Sequence, residues 1–299
     1  MPAAVPIAAE SRPALDRESF PMRLWRKAKV HGVWNPDDID FRPDREAWLG
    51  LSQTKKNCVL QLCALFHAGE KAVTLDLIPL IQLVAGEGRM DEEIYLTSFL
   101  FEEAKHVDLF SRFLDEVCGG PGDLSRYYHQ NSQRILGEEL HGALSRLHTD
   151  VSVEAQVRAS VTYNMVVEGI MADTGYHLFH RLLTEAIHLP GMQKAVVHLQ
   201  RDESRHIAFG IYFLSRLIVE HGNRAYKAFL DRMVELKPVV EGSTREFMRC
   251  FELEPALGIR TEELMRFSAQ RFNTRVQAIM RARTQTLEEL YRAGAFGDR

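Results

Sequence analysis

Glu102-Glu103-Ala104-Lys105-His106-Val107 and Asp202-Glu203-Ser204-Arg205-His206-Ile207 follow one pattern, a hundred residues apart. Each reads acid, glutamate, small residue, base, histidine, β-branched residue. Residues three apart on an α-helix share a face, so the glutamate and histidine of each copy can reach one metal ion. A further glutamate precedes each copy, Glu70 by thirty-three residues and Glu168 by thirty-five. This is the trace of a duplicated helix pair.

Glu-x-x-His alone is a weak signal, and the chain holds two more copies, Glu138/His141 and Glu185/His188. The face they occupy separates them. In steps of three and four, Glu103 and His106 fall among Phe99, Phe110 and Phe113, and Glu203 and His206 among Val196, Leu199, Phe213 and Leu217. Glu168 falls among Val161, Met165, Ala172 and Phe179, and Glu70 among Cys63, Phe66, Val73 and Leu77. All six polar residues interrupt apolar stripes that face a core. Around Glu138/His141 lie Asn131, Arg134, Ser145 and His148, and around Glu185/His188 lie Thr174, Leu178 and Arg181, so these two pairs read as solvated.

Four buried carboxylates without partners would cost several kcal/mol each. No Lys or Arg lies on the stripes. Two divalent cations supply four positive charges against four glutamates, and the site closes at zero charge with both histidines neutral. One glutamate from each of two helices plus Glu-x-x-His from each of two others is the di-metal carboxylate arrangement of four-helix bundles.

The rest of the chain agrees with a helical fold. Its 299 residues, 45% apolar, are ample for a core, and 37 Lys and Arg against 41 Asp and Glu leave a net charge of −4. That balance argues against a nucleic-acid binder. No apolar run reaches the length of a membrane span, since Asp76, Pro79 and Gln82 break the richest stretch. Met1 to Glu10 has no cationic start and does not read as a signal peptide. Cys58, Cys63, Cys118 and Cys250 show no CxxC spacing and read as buried reduced thiols of a cytoplasmic protein. Five of eleven prolines fall in the first forty residues, so 1–45 reads as an irregular arm, pinned by Trp25 and Trp34. Residues 46–299 read as one helical domain, with helices near 46–85, 90–117, 132–148, 152–188, 192–220, 223–252 and 260–293. Pro79 should kink or end the first of these.

The six-ligand pattern resembles the ferritin-like superfamily, and within it the ligand-binding oxidases that look like ribonucleotide reductase small subunits. The resemblance spans residues 20 to 290 and implies an all-α, ferritin-like four-helix bundle with additional helices. It implies one metal held by Glu70, Glu103 and His106 and a second by Glu168, Glu203 and His206, with a carboxylate bridging. The pair would be one manganese and one iron, or two irons; ligand type alone does not select manganese. It further implies O₂ activation, a long-chain fatty acid or related lipid with its head group on the metals, and a homodimer. Val73 and Tyr163 stand where members of that family join a valine to a tyrosine, although by residue type both read as core. Tyr163 lies five residues before Glu168, off its face in a regular helix, so a π-bulge between them is expected.

Two other readings remain at this point. A radical-generating reductase small subunit would carry a tyrosine four residues after His106, where Phe110 stands, and the C-terminal end is short for a tail that reaches a large subunit. A ferritin-like metal-binding scaffold without turnover is the other. Asp202, Glu102, Asp108 and Asp173 are the candidates to orient the ligand imidazoles.

Overall fold

The computed structural model describes residues 15–120, 122–253 and 257–292. The readings of Met1 to Glu10, of Pro121 and of the chain beyond Arg292 fall outside these residues. Helices account for nearly all regular structure, with no strand among the described residues.

The expected irregular arm is corrected in its second half. Phe20–His31 is a helix, α1, with Pro21 in its first turn. Proline is suited to that position, because its missing N–H would be unbonded there anyway. A short turn at Pro36–Asp38 follows, and α2 spans Arg42–Leu49. Trp25 packs partly buried against the core, and Trp34 bonds to Asp202, so both tryptophans pin this region as expected.

The expected first long helix is α3, Gln53–Asp76, and α4, Ile78–Gly86. Ser52 caps α3 by accepting from Lys55 N at 3.2 Å. The break falls at Leu77, two residues before Pro79, which sits in the first turn of α4. Gln53–Gly86 is long and apolar enough by composition to cross a membrane, yet half of its most apolar window is buried inside the protein, and Glu70 lies within it. Leu62, Phe66, Val73 and Leu77 face the bundle core, while Leu75 and Ile78 are exposed. Helix α5 spans Met90–Glu116.

After short helical pieces between Gln130 and His148, residues 153–186 form α6. It is α-helical over Val153–Ser160 and Asp173–Arg181, and π-helical over Val161–Ala172 and Leu182–Ala186. Helix α7 is Pro190–His221, α8 Asn223–Glu252 and α9 Thr261–Arg281. The start of α7 is held from α2. Both oxygens of buried Asp44 accept backbone N–H bonds, from Gly191 at 2.7 Å and Met192 at 2.8 Å, satisfying two of the helix's open donors.

Helices α3, α5, α6 and α7 form the central four. Helix α3 packs on α5, α7 packs on α5, and the π-helical stretch of α6 lies against α7. That last contact depends on Gly210, where a Cβ would lie 2.2 Å from the Cβ of Asn164. Cys58 and Cys63 are buried, whereas Cys118 and Cys250 are only half-buried.

Candidate metal centre

All six stripe residues converge in the bundle interior, each at most 5% exposed. Their donor atoms fall into two sets, each within 4.8 Å: Glu70, Glu103, His106 and Glu203 in one, Glu103, Glu168 and His206 in the other. Glu103 belongs to both. Glu203 lies between the histidines, 3.4 Å from His106 Nδ1 and 3.7 Å from His206 Nδ1, so it is not confined to the Glu168 side as the resemblance implied. The other two Glu-x-x-His pairs stay out: Glu138, His141, Glu185 and His188 are exposed, with His141 bonded to Asp76 and Glu185 to Arg181.

Several polar atoms here are buried without a hydrogen-bond partner: Glu103 Oε2, Glu168 Oε1, Glu203 Oε2 and His206 Nδ1. Native interiors rarely leave such groups unmatched. His206 Nδ1 lies 3.2 Å from Glu103 Oε1 without bonding it, the spacing of two donors turned toward a shared cation. The residues fit a pair of divalent metals.

With protons alone to balance it, the cluster is strained. Burial, reinforced by the Glu70 carboxylate, pushes Glu103 well above its ordinary value, and burial pushes Glu168 up to about 8. Burial opposes ionisation of Glu203 too, but the His106 and His206 imidazoles beside it bring it down to about 2. Burial would lower both imidazoles; Glu70 and Asp202 raise His106 instead, and Glu102 and Glu103 raise His206. These are the protons that metal binding displaces.

The outward nitrogens are held crosswise. His106 Nε2 meets Asp202 Oδ2 at 3.2 Å, and His206 Nε2 meets Glu102 Oε2 at 2.9 Å. The acid beside each ligand glutamate thus serves the histidine of the other copy. Asp108 is exposed, and Asp173 pairs with Arg271 and Arg275, so neither candidate reaches an imidazole. Asp202 also accepts from Trp34 Nε1 at 2.8 Å and Lys105 Nζ at 3.1 Å. Arg205 Nη2 donates to Glu102 Oε1 at 2.6 Å and to Asp202 Oδ1 at 2.5 Å. Two acids and two bases thus form a buried chain, Lys105–Asp202–Arg205–Glu102, that sums to zero charge independently of the metals.

Three functional residues escaped the sequence reading. Lys105 and Arg205 were visible only as the base of the repeat. Tyr176, buried, donates to Glu70 Oε1 at 3.1 Å; it lies two steps of four after Glu168, on the edge of the same stripe, where an aromatic residue reads as core. Tyr163 donates to Glu103 Oε1 at 3.1 Å, and the expected irregularity is there, as the π-helix Val161–Ala172.

Residues 21–282 match the family described as ribonucleotide reductase, small chain. The chain belongs to that family. A solved R2-like ligand-binding oxidase with an aerobically reconstituted Mn/Fe cofactor is 38% identical over 88% of this chain and 94% of its own, with a TM-score of 0.85. A glycine-to-phenylalanine variant with the same cofactor is 38% identical over 89% of this chain and 98% of its own, also at 0.85. A tyrosine-to-phenylalanine variant reconstituted anaerobically reaches 0.83 at 38% identity, over 88% and 94%. At this identity and coverage the small-chain family member belongs with the R2-like ligand-binding oxidases, which are O₂-activating oxidoreductases, and its fold is the ferritin-like bundle expected from the sequence.

A cavity of about 770 Å³, including its open mouth, runs to the centre. Glu70, Glu103, Glu168 and Glu203 lie at its polar end, and Leu62, Phe66, Val73, Met171, Phe247 and Leu264 are among its apolar walls.

Proposed function

We propose that the protein is a Mn/Fe oxidase that holds a long-chain fatty acid or similar lipid with its carboxylate at the metals, and that forms an ether between Tyr163 and Val73. The observation that carries this reading is the cavity: one apolar channel ending on four carboxylates, of a size that small-molecule sites commonly have. Glu70, Glu103, His106, Glu168, Glu203 and His206 would hold the metals, with Glu103 the bridging candidate. Bound manganese and iron supply O₂ binding and redox capacity. When both are trivalent, the four glutamates leave a charge surplus of two, which an exogenous carboxylate helps to balance. The apolar walls favour chain length: about 0.8 kcal/mol for each buried CH₂ means about tenfold in affinity for every two carbons, until the cavity is filled.

For the ether, Val73 follows Glu70 by less than one turn and lines the same cavity, and its Cβ carries the weakest C–H bond of that side chain. Burial and the Glu103 carboxylate keep the Tyr163 phenol protonated, and Glu103 accepts its hydrogen bond. Forming the C–O bond breaks the tyrosine O–H and the valine C–H and releases two protons and two electrons, with O₂ as the electron acceptor. The reductase reading has less support, since Phe110 offers no hydroxyl and stacks on Phe66 at 5.4 Å. A storage scaffold has no use for an apolar channel ending on the metals. We also propose a C₂ homodimer in the cytoplasm.

The test is metal analysis of protein grown with both manganese and iron, mass spectrometry of extracted lipid, and peptide mapping after aerobic and anaerobic metal loading. The reading expects one of each metal, an alkanoic acid, and Val73 and Tyr163 peptides joined and two hydrogens lighter only after air. Separate peptides from fully metallated, air-exposed protein would remove the ether, and an empty lipid extract would remove the ligand.

A further inference from the structure

Cys58 on α3 and Cys250 on α8 place their sulfurs 3.4 Å apart, with the Cys58 sulfur also 3.6 Å from the Cys250 carbonyl oxygen. A disulfide bond is about 2.05 Å long, so closure needs about 1.4 Å, within reach of small side-chain rotations. Cys58 is buried and Cys250 half-buried, so Cys250 is the more accessible residue of the pair. The neighbouring thiols differ. Burial raises Cys63 well above its ordinary value and pushes Cys118 up to about 12, whereas a hydrogen bond with Cys58 lowers Cys250. Thiolate character decides which cysteine reacts with an oxidant.

The location adds a consequence. One turn beyond Cys58, Leu62 and then Phe66 wall the cavity from α3, and Phe247 and Thr244 wall it from α8. The two helices are already joined there by Gln61 Nε2, which donates to Phe247 O at 2.9 Å.

We propose that Cys58 and Cys250 form a peroxide-oxidisable dithiol that closes to a disulfide joining α3 to α8 beside the cavity. The Cys250 sulfur attacks hydrogen peroxide, the O–O bond breaks, and a sulfenic acid and one water result. The Cys58 sulfur then displaces the sulfenic oxygen as a second water and forms the S–S bond. Two thiols lose two electrons, and one peroxide becomes two waters. This site is independent of what the metals are or what fills the cavity.

The full-length, metal-loaded protein is treated with a few equivalents of hydrogen peroxide, denatured, alkylated and mapped by mass spectrometry. The expected product is a Cys58–Cys250 peptide pair two hydrogens lighter, released by dithiothreitol, with Cys63 and Cys118 alkylated in full. Cys250→Ser should abolish the linked pair and leave Cys58 alkylated; Cys118→Ser should leave the pair unchanged. Cys250 found as sulfinic acid beside an alkylated Cys58, or both alkylated in full after peroxide, would overturn the proposal, and the unsubstituted protein decides it even if a variant fails to fold.

Discussion

The α3–α5 half and the α6–α7 half carry one ligand pattern in two different surroundings. In the first, the helices are regular, and Glu70 is held by Tyr176 and by His106 Nδ1, at 3.1 and 3.2 Å. In the second, Glu168 lies in a π-helix and accepts from Asn164 Nδ2 at 3.4 Å, while its Oε1 has no hydrogen-bond partner among the described residues. The residue one turn after each histidine shows the same contrast. Phe110 fills its space against Phe66, while Gly210 clears space for Asn164. The repeat duplicates the ligands and leaves their settings free to diverge. The outcome is a four-donor set on one side and a three-donor set on the other, two metal positions that are chemically unequal although built from the same residue types.

The shared residue should break the comparison most completely. Glu103→Ala removes a donor from both sets, and metal analysis should show both ions lost; Glu70→Ala or Glu168→Ala should retain about one. Glu138→Ala and His188→Ala should retain two. Loss of metal from either of these exposed positions would defeat the assignment of the site by apolar stripes.

The crosswise hydrogen bonds come next. Weakening a partner of a ligand histidine typically costs about 10- to 100-fold in metal affinity. Glu102→Gln should impose that loss on the His206 side, and Asp202→Asn on the His106 side. Metal titrations followed by a spectroscopic signal from each position can tell them apart. A loss on the same helix as the substitution would contradict the pairing.

Gly210→Ala tests the close approach on which the π-helix rests. The added methyl overlaps Asn164, and overpacking of this kind costs about 1–3 kcal/mol. Denaturant unfolding should show it, while Gly142→Ala, with nothing within 4 Å of the new atom, should be neutral or slightly stabilising. The smallest effect is expected from Tyr176→Phe. It removes one hydrogen bond, about 1 kcal/mol, and should weaken metal binding at the Glu70 side several-fold without touching the other. An equal loss at both sides would mean that Tyr176 supports the cluster as a whole.

Most of the fold could be read from the sequence because its signals are local. Pro190 and Gly222 bound α7 within a residue or two of the expected limits, and the stripes separated six residues that converge in the interior from four look-alikes that stay exposed. The five-residue offset from Tyr163 to Glu168 even located the π-helix, once a reason existed to want both residues on one face. The N-terminal helix departs from the expected irregular arm because clustered prolines suggest irregular chain, although Pro21 is a helix starter. Lys105, Arg205 and Tyr176 were missed for another cause. Their partners lie about a hundred residues away, and only the packed bundle brings them together in the interior. The 3.4 Å approach of Cys58 to Cys250 belongs to the same class.

The crosswise bonding also bears on how this protein can change through descent. Position 102 is matched to 206 and position 202 to 106, so residues adjacent along the chain answer to different constraints. Among relatives, a change at 102 should be accompanied by changes at 205 or 206 more often than at 106. Neither half can drift alone: each inherits the other's geometry, and the duplication can no longer be undone by losing one copy.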